Sequence, residues 1–223
     1  MRARGLLWTC LGGVLAFVVA SGAWSLLRGA GTVESSVSPG ALTGLEDYGG
    51  VPDFALTERS GQPVTRRDLD GRIWVADFIF TRCTGMCPIL TSRMASLRAL
   101  LDRHADASEV RLVSFSVDPG WDTPEVLSRY AAGRGADAGR WLFLTGDRET
   151  MHRLIGDGFR LSVAEAPEGT AADGELITHS DRLVLVDRKG RIRGYYHGTE
   201  EDSAERLVED ISRLLRAPAA PRG

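Results

Sequence analysis

An apolar run from Ile73 to Phe80 (IWVADFIF) leads directly into two cysteines, Cys83 and Cys87, and then into Pro88. The run is nearly continuous and rich in β-branched and aromatic residues, which is typical of a strand buried on both faces of a sheet. From Pro88 to His104, apolar side chains recur at helical spacing. They are Leu90, Met94, Leu97, Leu100 and Leu101. The sequence therefore predicts that the two cysteines lie where a central strand ends and a helix begins.

The rest of the chain alternates between strand and helix patterns. Thr123 and Asp147 have the residue types that cap helix starts, and Pro124 suits a first helical position. The predicted strands are a short one at 54–56, then 110–117, 141–144 and a hairpin of 182–187 with 192–196. The predicted helices are 123–132, 147–155 and 201–216. Residues 164–175 are predicted to form a loop. This order predicts an α/β fold with a central mixed β-sheet flanked by helices.

The N-terminal segment differs from the rest. Gly5–Leu27 contains no charged side chain over 23 residues, and a helix needs roughly 20 apolar residues to cross a bilayer. Arg2 and Arg4 precede the run, so the positive-inside rule places the N-terminus in the cytoplasm and the remainder outside. We therefore expect residues 1–28 to form a transmembrane anchor. The alternative is a signal peptide cleaved at small residues near Ala23.

Residues 29–50 are rich in Gly, Ser and Thr and are expected to form a flexible tether. The folded domain is then 51–216, and 217–223 is expected to be a disordered tail. Such a protein would lie in a bacterial inner membrane with its domain on the periplasmic side.

The chain carries 27 basic and 30 acidic residues and 43% hydrophobic residues. This balance fits a globular domain and excludes a nucleic-acid binder.

The spacing of Cys83 and Cys87 leaves three chemistries open. Helix N-termini depress thiol pKa values, which favours reactive or metal-binding sulfurs. Residues four apart on a helix have Cβ atoms about 5–6 Å apart, whereas a disulfide needs about 3.5–4.5 Å. A soft metal such as Cu(I) or zinc, or an iron–sulfur cluster, would relieve that mismatch. A redox dithiol and an inert disulfide remain as alternatives.

A metal between two sulfurs calls for a third ligand, and four histidines are available. His104 and His152 lie in helix patterns and are expected to be solvated, His197 ends a strand, and His179 directly precedes the hairpin. From the pattern alone, a structural role for His179 is favoured over metal ligation. Asp118, at the end of the second long strand, has two interpretations as well: it orients a ligand or partner, or it caps a turn.

Taken together, these motifs resemble the Sco/SenC family of thioredoxin-like copper proteins over about residues 51–216. The resemblance rests on Asp77–Thr81 leading into Cys83-x-x-x-Cys87-Pro88 and on several other stretches. Those stretches are Val51–Phe54, Ser116–Pro119, Asp122–Pro124, Thr178–Ser180 and Asp187–Gly190. An N-terminal anchor and an exported domain also suit this family.

The resemblance implies a thioredoxin-like fold in which Cys83, Cys87 and His179 bind copper, as Cu(I) and Cu(II). It also implies a metallochaperone or thiol reductant, not an enzyme in the ordinary sense, that assists assembly of the dinuclear copper centre in cytochrome c oxidase subunit II. A periplasmic copper donor and a thioredoxin-like reductant would be further partners. The family often has Pro-Asp after the first cysteine, whereas this chain has Thr84-Gly85, so it lacks an acidic group beside the sulfurs.

The main alternative is a thiol–disulfide oxidoreductase or peroxidase that uses Cys83 and Cys87 without metal. Thioredoxin-type enzymes typically use Cys-x-x-Cys, and the spacing here is one residue longer. That difference favours the metal-binding interpretation.

Overall fold

The computed structural model describes residues 45–103, 108–136, 139–165, 176–178 and 180–217. The predicted anchor (1–28), residues 29–44 of the predicted tether and residues 218–223 of the predicted tail lie outside these ranges. Within them, no helix combines the length and apolar character needed to cross a bilayer.

Seven strands form one sheet: β1 Ala55–Glu58, β2 Pro63–Thr65, β3 Ile73–Ile79, β4 Val110–Ser116, β5 Trp141–Thr145, β8 Arg182–Val186 and β9 Ile192–His197. Their order across the sheet is β2-β1-β5-β4-β3-β8-β9. The central strands β3, β4 and β5 are parallel, while β8 and β9 on one side and β1 and β2 on the other run antiparallel to their neighbours. The predicted mixed sheet is therefore confirmed.

Within the described ranges, four α-helices accompany the sheet: α1 Met86–Leu101, α2 Pro124–Ala132, α3 Arg148–Arg153 and α4 Ser203–Arg216. The side chains of β3 alternate between two hydrophobic clusters, one on each face of the sheet. Val75 and Ile79 share a cluster with α1, α2 and α4. Trp74 and Phe78 share the other with α3 and the π-helical turn Leu154–Gly158. Both faces of β3 are thus covered, as the continuous apolar run predicted.

The predicted helix caps at Thr123 and Asp147 are confirmed, since each side chain accepts a hydrogen bond from a backbone amide in the first turn. The predicted loop 164–175 needs correction at its start, because Ala164 and Glu165 belong to a strand. Val163–Glu165 (β6) pairs with Leu176–Thr178 (β7) in a separate two-stranded sheet. A pair of three-residue strands is too short to produce a recognisable hydrophobic period.

Residues 45–50 lie against the hairpin, although the sequence placed them in the tether. The amide of Tyr48 donates to the carbonyl of Ile192 at 3.0 Å, and Asp47 forms an ion pair with Arg191 at 2.8 Å. The contacts of the folded domain therefore begin a few residues before Val51.

Candidate dithiol and metal site

Cys83 and Cys87 lie at the junction between β3 and α1, as predicted, but only Cys87 is helical. Gly85 is the N-cap and α1 begins at Met86, two residues before the predicted start at Pro88. Cys83 lies in the preceding turn, where its amide donates to the carbonyl of Phe80 at 3.2 Å. Because Cys83 precedes the helix, the Cβ separation of residues four apart on a helix does not apply to this pair.

The sulfur of Cys83 faces the amide groups at the start of α1. It accepts a hydrogen bond from the amide of Cys87 at 3.4 Å. Partial burial raises the pKa of the Cys83 thiol. Hydrogen bonds from the Cys87 amide and thiol and from the amides of Gly85 and Met86 lower it by more, so that the pKa falls below its ordinary value. Because these donors favour the charged form, Cys83 has thiolate character in the reduced protein.

Cys87 has the opposite environment. Its residue is only 5% exposed and packs in the cluster beneath α1. Burial raises the pKa of its thiol well above the ordinary range, and the hydrogen bond to Cys83 and the charges of Cys83 and Asp77 add to that increase. One turn further along α1, the hydroxyl of Thr91 donates to the carbonyl of Cys87 at 2.8 Å.

The two cysteines are both free thiols. The pair thus combines one accessible, acidic sulfur with one buried, protonated sulfur. Two adjacent sulfurs are a donor set that soft metals such as Cu(I) prefer, and the same asymmetry suits thiol–disulfide exchange. The residues present therefore fit either chemistry.

A buried carboxyl group lies on the α1 side of β3. Asp77 is fully buried, and it accepts a hydrogen bond from the hydroxyl of Ser114 at 2.5 Å. The indole of Trp141 donates to that hydroxyl at 2.9 Å. Burial raises the pKa of Asp77 from 3.8 to about 7, although the Ser114 hydrogen bond opposes the increase. Ser114 is therefore the hydrogen-bond partner of this buried aspartate.

A second buried carboxylate anchors the start of the cysteine loop. Asp122 accepts hydrogen bonds from the amide of Thr81 at 3.2 Å, from its hydroxyl at 2.5 Å and from the hydroxyl of Ser116 at 2.6 Å. Thr81 directly follows the apolar run and lies two residues before Cys83. Asp122 thus joins the end of β3 to the loop after β4 across 41 residues of sequence.

Asp118 lies in that same loop and binds Arg82, the residue before Cys83. The guanidinium of Arg82 donates to one carboxylate oxygen of Asp118 at 2.7 and 3.2 Å. It also lies over the ring of Trp121, at 4.8 Å from the ring centroid. The carboxylate of Asp118 thus positions Arg82, and its role toward a ligand or partner stays a prediction.

The predicted ligand His179 lies outside the described residues, so its role stays a prediction. Its neighbours are described: Thr178 ends β7, and the hydroxyl of Ser180 accepts from the amide of Arg182 at the start of β8. Because β8 runs antiparallel to β3, with Ala76 opposite Val184, β8 starts near the sheet edge from which the cysteine loop leaves. No group of three metal-ligating side chains occurs among the described residues.

The remaining histidines differ in their surroundings. His197 ends β9, where its Nδ1 atom lies 2.9 Å from a carboxylate oxygen of Asp181. His152 is exposed in α3, as expected, and His104 lies outside the described ranges.

Sequence reasoning missed the contribution of Thr81 and Asp122 to the site. Asp122 belonged to a recognised motif, but a contact that spans 41 residues leaves no periodic signal in the sequence. A polar residue directly after a buried strand, as at Thr81, was the one available indication.

Comparison with known proteins gives matches over most of the chain. The SCO1/SenC family model matches residues 44–216. The SCO1 protein homolog of Bacillus subtilis is 32% identical over 162 residues, which cover 72% of this chain and 80% of that protein. The crystal structure of a SCO1/SenC family lipoprotein from Bacillus anthracis is also 32% identical, with a TM-score of 0.70 over 79% of this chain and 100% of that one.

A second solved structure is that of BsSco, in which a disulfide switch has been identified and which is described as a member of the Sco family of cytochrome c oxidase assembly proteins. It is 29% identical, with a TM-score of 0.67 over 78% of this chain and 98% of that one. The fold is therefore shared over nearly the whole described domain.

Proposed function

The chain belongs to the SCO1/SenC family, and from this premise we propose that it binds copper and assists assembly of the dinuclear copper centre of cytochrome c oxidase subunit II. The observation that carries the proposal is the free Cys83/Cys87 pair at the start of α1. Relatives with the same fold include an oxidase assembly protein. Copper is treated as cargo that the protein receives and passes on.

The proposed ligands are the sulfurs of Cys83 and Cys87 and the imidazole of His179. Thiolates bind Cu(I) strongly, and an imidazole added to the set makes Cu(II) acceptable as well. The lowered pKa of Cys83 supports binding at neutral pH, because a ligand thiol must lose its proton. The raised pKa of Cys87 means that copper binding releases a proton from that sulfur.

Redox state would then control loading, since a Cys83–Cys87 disulfide has no thiolates to offer. The test is a competition titration of the full-length chain in detergent with Cu(I) and Cu(II), reduced and oxidised. We expect one copper per reduced chain and at least a hundredfold weaker binding after oxidation. Cys10→Ser is the matched control, because it removes a cysteine outside the pair. Equal affinities of the two forms would contradict the proposal.

A second candidate function is thiol–disulfide exchange without metal, which the opposite environments of the two cysteines favour. The Cys83 thiolate would attack a target disulfide and form a mixed disulfide. Cys87, after losing its proton, would displace the target, so that two electrons pass to the target and a Cys83–Cys87 disulfide remains. In this case Cys87→Ser traps the mixed disulfide, and oxidase assembly does not depend on the copper affinity of the chain.

Location is part of the proposal. We place residues 1–28 in the bacterial inner membrane and the domain on the periplasmic side, where a copper donor and a thioredoxin-like reductant would meet it. The support is the uncharged run of 23 residues preceded by two arginines. A mature protein that fractionates as a soluble periplasmic species with its N-terminus near Ala23 would show cleavage instead.

A further inference from the structure

Three large hydrophobic side chains stay exposed in the part of the chain that the structure describes. They are Met86, Ile89 and Trp121, with 43%, 47% and 53% of their surface accessible. All three belong to segments that meet at Cys83. Met86 separates the cysteines, Ile89 lies one turn further on the same face of α1, and Trp121 lies against Arg82.

The exposure of Trp121 is built into the fold. Its amide donates to the carbonyl of Asp118 at 3.1 Å, and the following amide, that of Asp122, does the same at 2.9 Å. The carboxylates of Asp118 and Asp122 are both buried and bind Arg82 and Thr81. The loop therefore holds the indole at the surface, beside the cysteine turn, before any partner arrives. A side chain fixed in this way loses little conformational entropy on binding.

The charge of this surface also differs from that of the whole chain. Between Phe80 and Leu90 the single charged side chain is Arg82, and Asp118 neutralises it at 2.7 Å. The first turn of α1 contains no acidic residue, although the chain has 30 acidic residues in total. The cores of protein–protein interfaces are depleted of charged residues overall and enriched in Trp, Met and Arg. Trp and Arg are also among the residues that most often dominate the binding energy.

The small area of this surface restricts the kind of partner that can bind to it. Three side chains and a paired arginine supply far less than the roughly 800 Å² per partner of a stable complex, so a permanent dimer of this chain is disfavoured. The sulfur at the centre requires that the occupant bring a reactive group to Cys83. Since sulfur is the donor that Cu(I) prefers, that group is a sulfur ligand, and the face around it is apolar and uncharged to match this surface.

We propose that Met86, Ile89 and Trp121, positioned around Cys83 with the Arg82–Asp118 pair, form the docking surface for a separate protein that presents thiol ligands from an apolar face. The contact is transient, and Trp121 is its main anchor. This inference rests on the proposed function, because it names the kind of partner that the dithiol serves.

The test measures docking and copper binding separately. The probe is the reduced, metal-free copper domain of cytochrome c oxidase subunit II from the same organism, isotopically labelled and titrated with the reduced full-length chain in detergent by NMR. We expect Trp121→Ala to raise the Kd at least five-fold and Ile89→Ala to raise it by a smaller factor. Leu100→Ala, which removes a partly buried leucine from the far end of α1, should change it less than two-fold.

Copper transfer to a small chelator is measured in parallel and should be the same for wild type and Trp121→Ala. If Trp121→Ala binds the probe as wild type does, or if it slows transfer to the chelator as much as transfer to the probe, docking through Trp121 is wrong. No detectable binding of the wild type to the probe also overturns it. If Trp121→Ala changes only self-association in sedimentation, the occupant is a second copy and the proposal again fails.

The two proposals fail in distinguishable ways. A wild-type chain that binds the probe through Trp121 but holds no copper retains the docking surface and loses the copper function. A chain that loads copper but binds the probe equally well without Trp121 retains the copper function and loses the docking surface.

Discussion

The amide of Cys87 donates a hydrogen bond to the sulfur of Cys83 at 3.4 Å, so that one cysteine of the pair caps the helix that contains the other. Gly85, the N-cap residue, supplies no side-chain acceptor of its own. The sulfur of Cys83 therefore takes the place of the hydroxyl or carboxylate that usually accepts from the first helical turn. This relationship separates the chemistry of the two thiols.

The first prediction concerns that separation. In the reduced chain at pH 7, we expect iodoacetamide to modify Cys83 at least ten times faster than Cys87, because the thiolate is the nucleophile and Cys87 is buried and protonated. Mass spectrometry of quenched samples over a pH series gives both rates. The Cys83 profile should level off at lower pH than that of a free cysteine peptide. Equal rates at the two positions would contradict the assignment.

The second prediction concerns the acidic residue that this chain lacks. Gly85→Asp places a carboxylate beside the Cys83 sulfur, and no atom lies within 4 Å of the added Cβ to hinder it. A neighbouring negative charge disfavours the thiolate, so the rate of Cys83 alkylation at pH 7 should fall roughly two- to five-fold. Gly85→Asn is the uncharged control of the same shape. A similar loss in both variants would mean that shape, not charge, is responsible.

The third prediction follows from Asp77. Its pKa is about 7 in the fold against an ordinary 3.8, so the folded state holds the proton more tightly than the unfolded state. The stabilisation is therefore complete below about pH 4 and is lost as the pH rises toward 7, by at most about 4 kcal/mol. Denaturant unfolding at several pH values should show this slope in wild type and lose it in Asp77→Asn. The buried amide of Asp77→Asn lowers the free energy of unfolding by the same amount at every pH, so the slopes of the two proteins can still be compared.

The fourth prediction concerns Asp122. Asp122→Ala leaves the amide and hydroxyl of Thr81 and the hydroxyl of Ser116 without their acceptor, which should cost roughly 3 kcal/mol of unfolding free energy. Thr123→Ala removes the adjacent helix cap and an exposed hydrogen bond to Glu125, and should cost about 1 kcal/mol. Urea unfolding of both variants gives the comparison. If the two losses are the same, the carboxylate does not hold the loop.

The fifth prediction addresses the third ligand. His179→Ala should weaken Cu(II) binding more than Cu(I) binding, because two thiolates alone satisfy Cu(I) better than Cu(II). His197→Ala should change neither affinity, since its imidazole is engaged by Asp181 at 2.9 Å. Titration with each oxidation state, with circular dichroism as a check on folding, decides between them. A larger loss in His197→Ala would transfer the ligand role to that residue.

Local patterns in the sequence accounted for most of the sheet. The apolar run predicted β3 to within one residue, because burial on both faces demands continuous hydrophobicity. Thr123 and Asp147 marked helix starts correctly, because their side chains cap the helices that follow. The start of α1 was misplaced because Gly85 provides no side-chain cap, and a sulfur from the preceding turn is not a recognised cap signal.

The site was less predictable than the sheet. The sequence identified Cys83 and Cys87 through their spacing, but the anchoring of their loop by Asp122 and Asp118 depends on tertiary contacts across 41 and 36 residues. Side-chain exposure at Trp121 depends on the same loop and has no signature in the sequence. The assignment of His179 still rests on resemblance to the family.

The capping of α1 by Cys83 ties the acidity of its thiol to folding. In an unfolded chain Cys83 and Cys87 have ordinary thiols, because a helix of this length is marginal until it packs and its amides are solvated. The acidic sulfur arises once α1 docks on the sheet and Asp122 fixes Thr81. Folding therefore makes the thiol of Cys83 more acidic and that of Cys87 less acidic, so that the difference between the two thiols exists only in the folded domain.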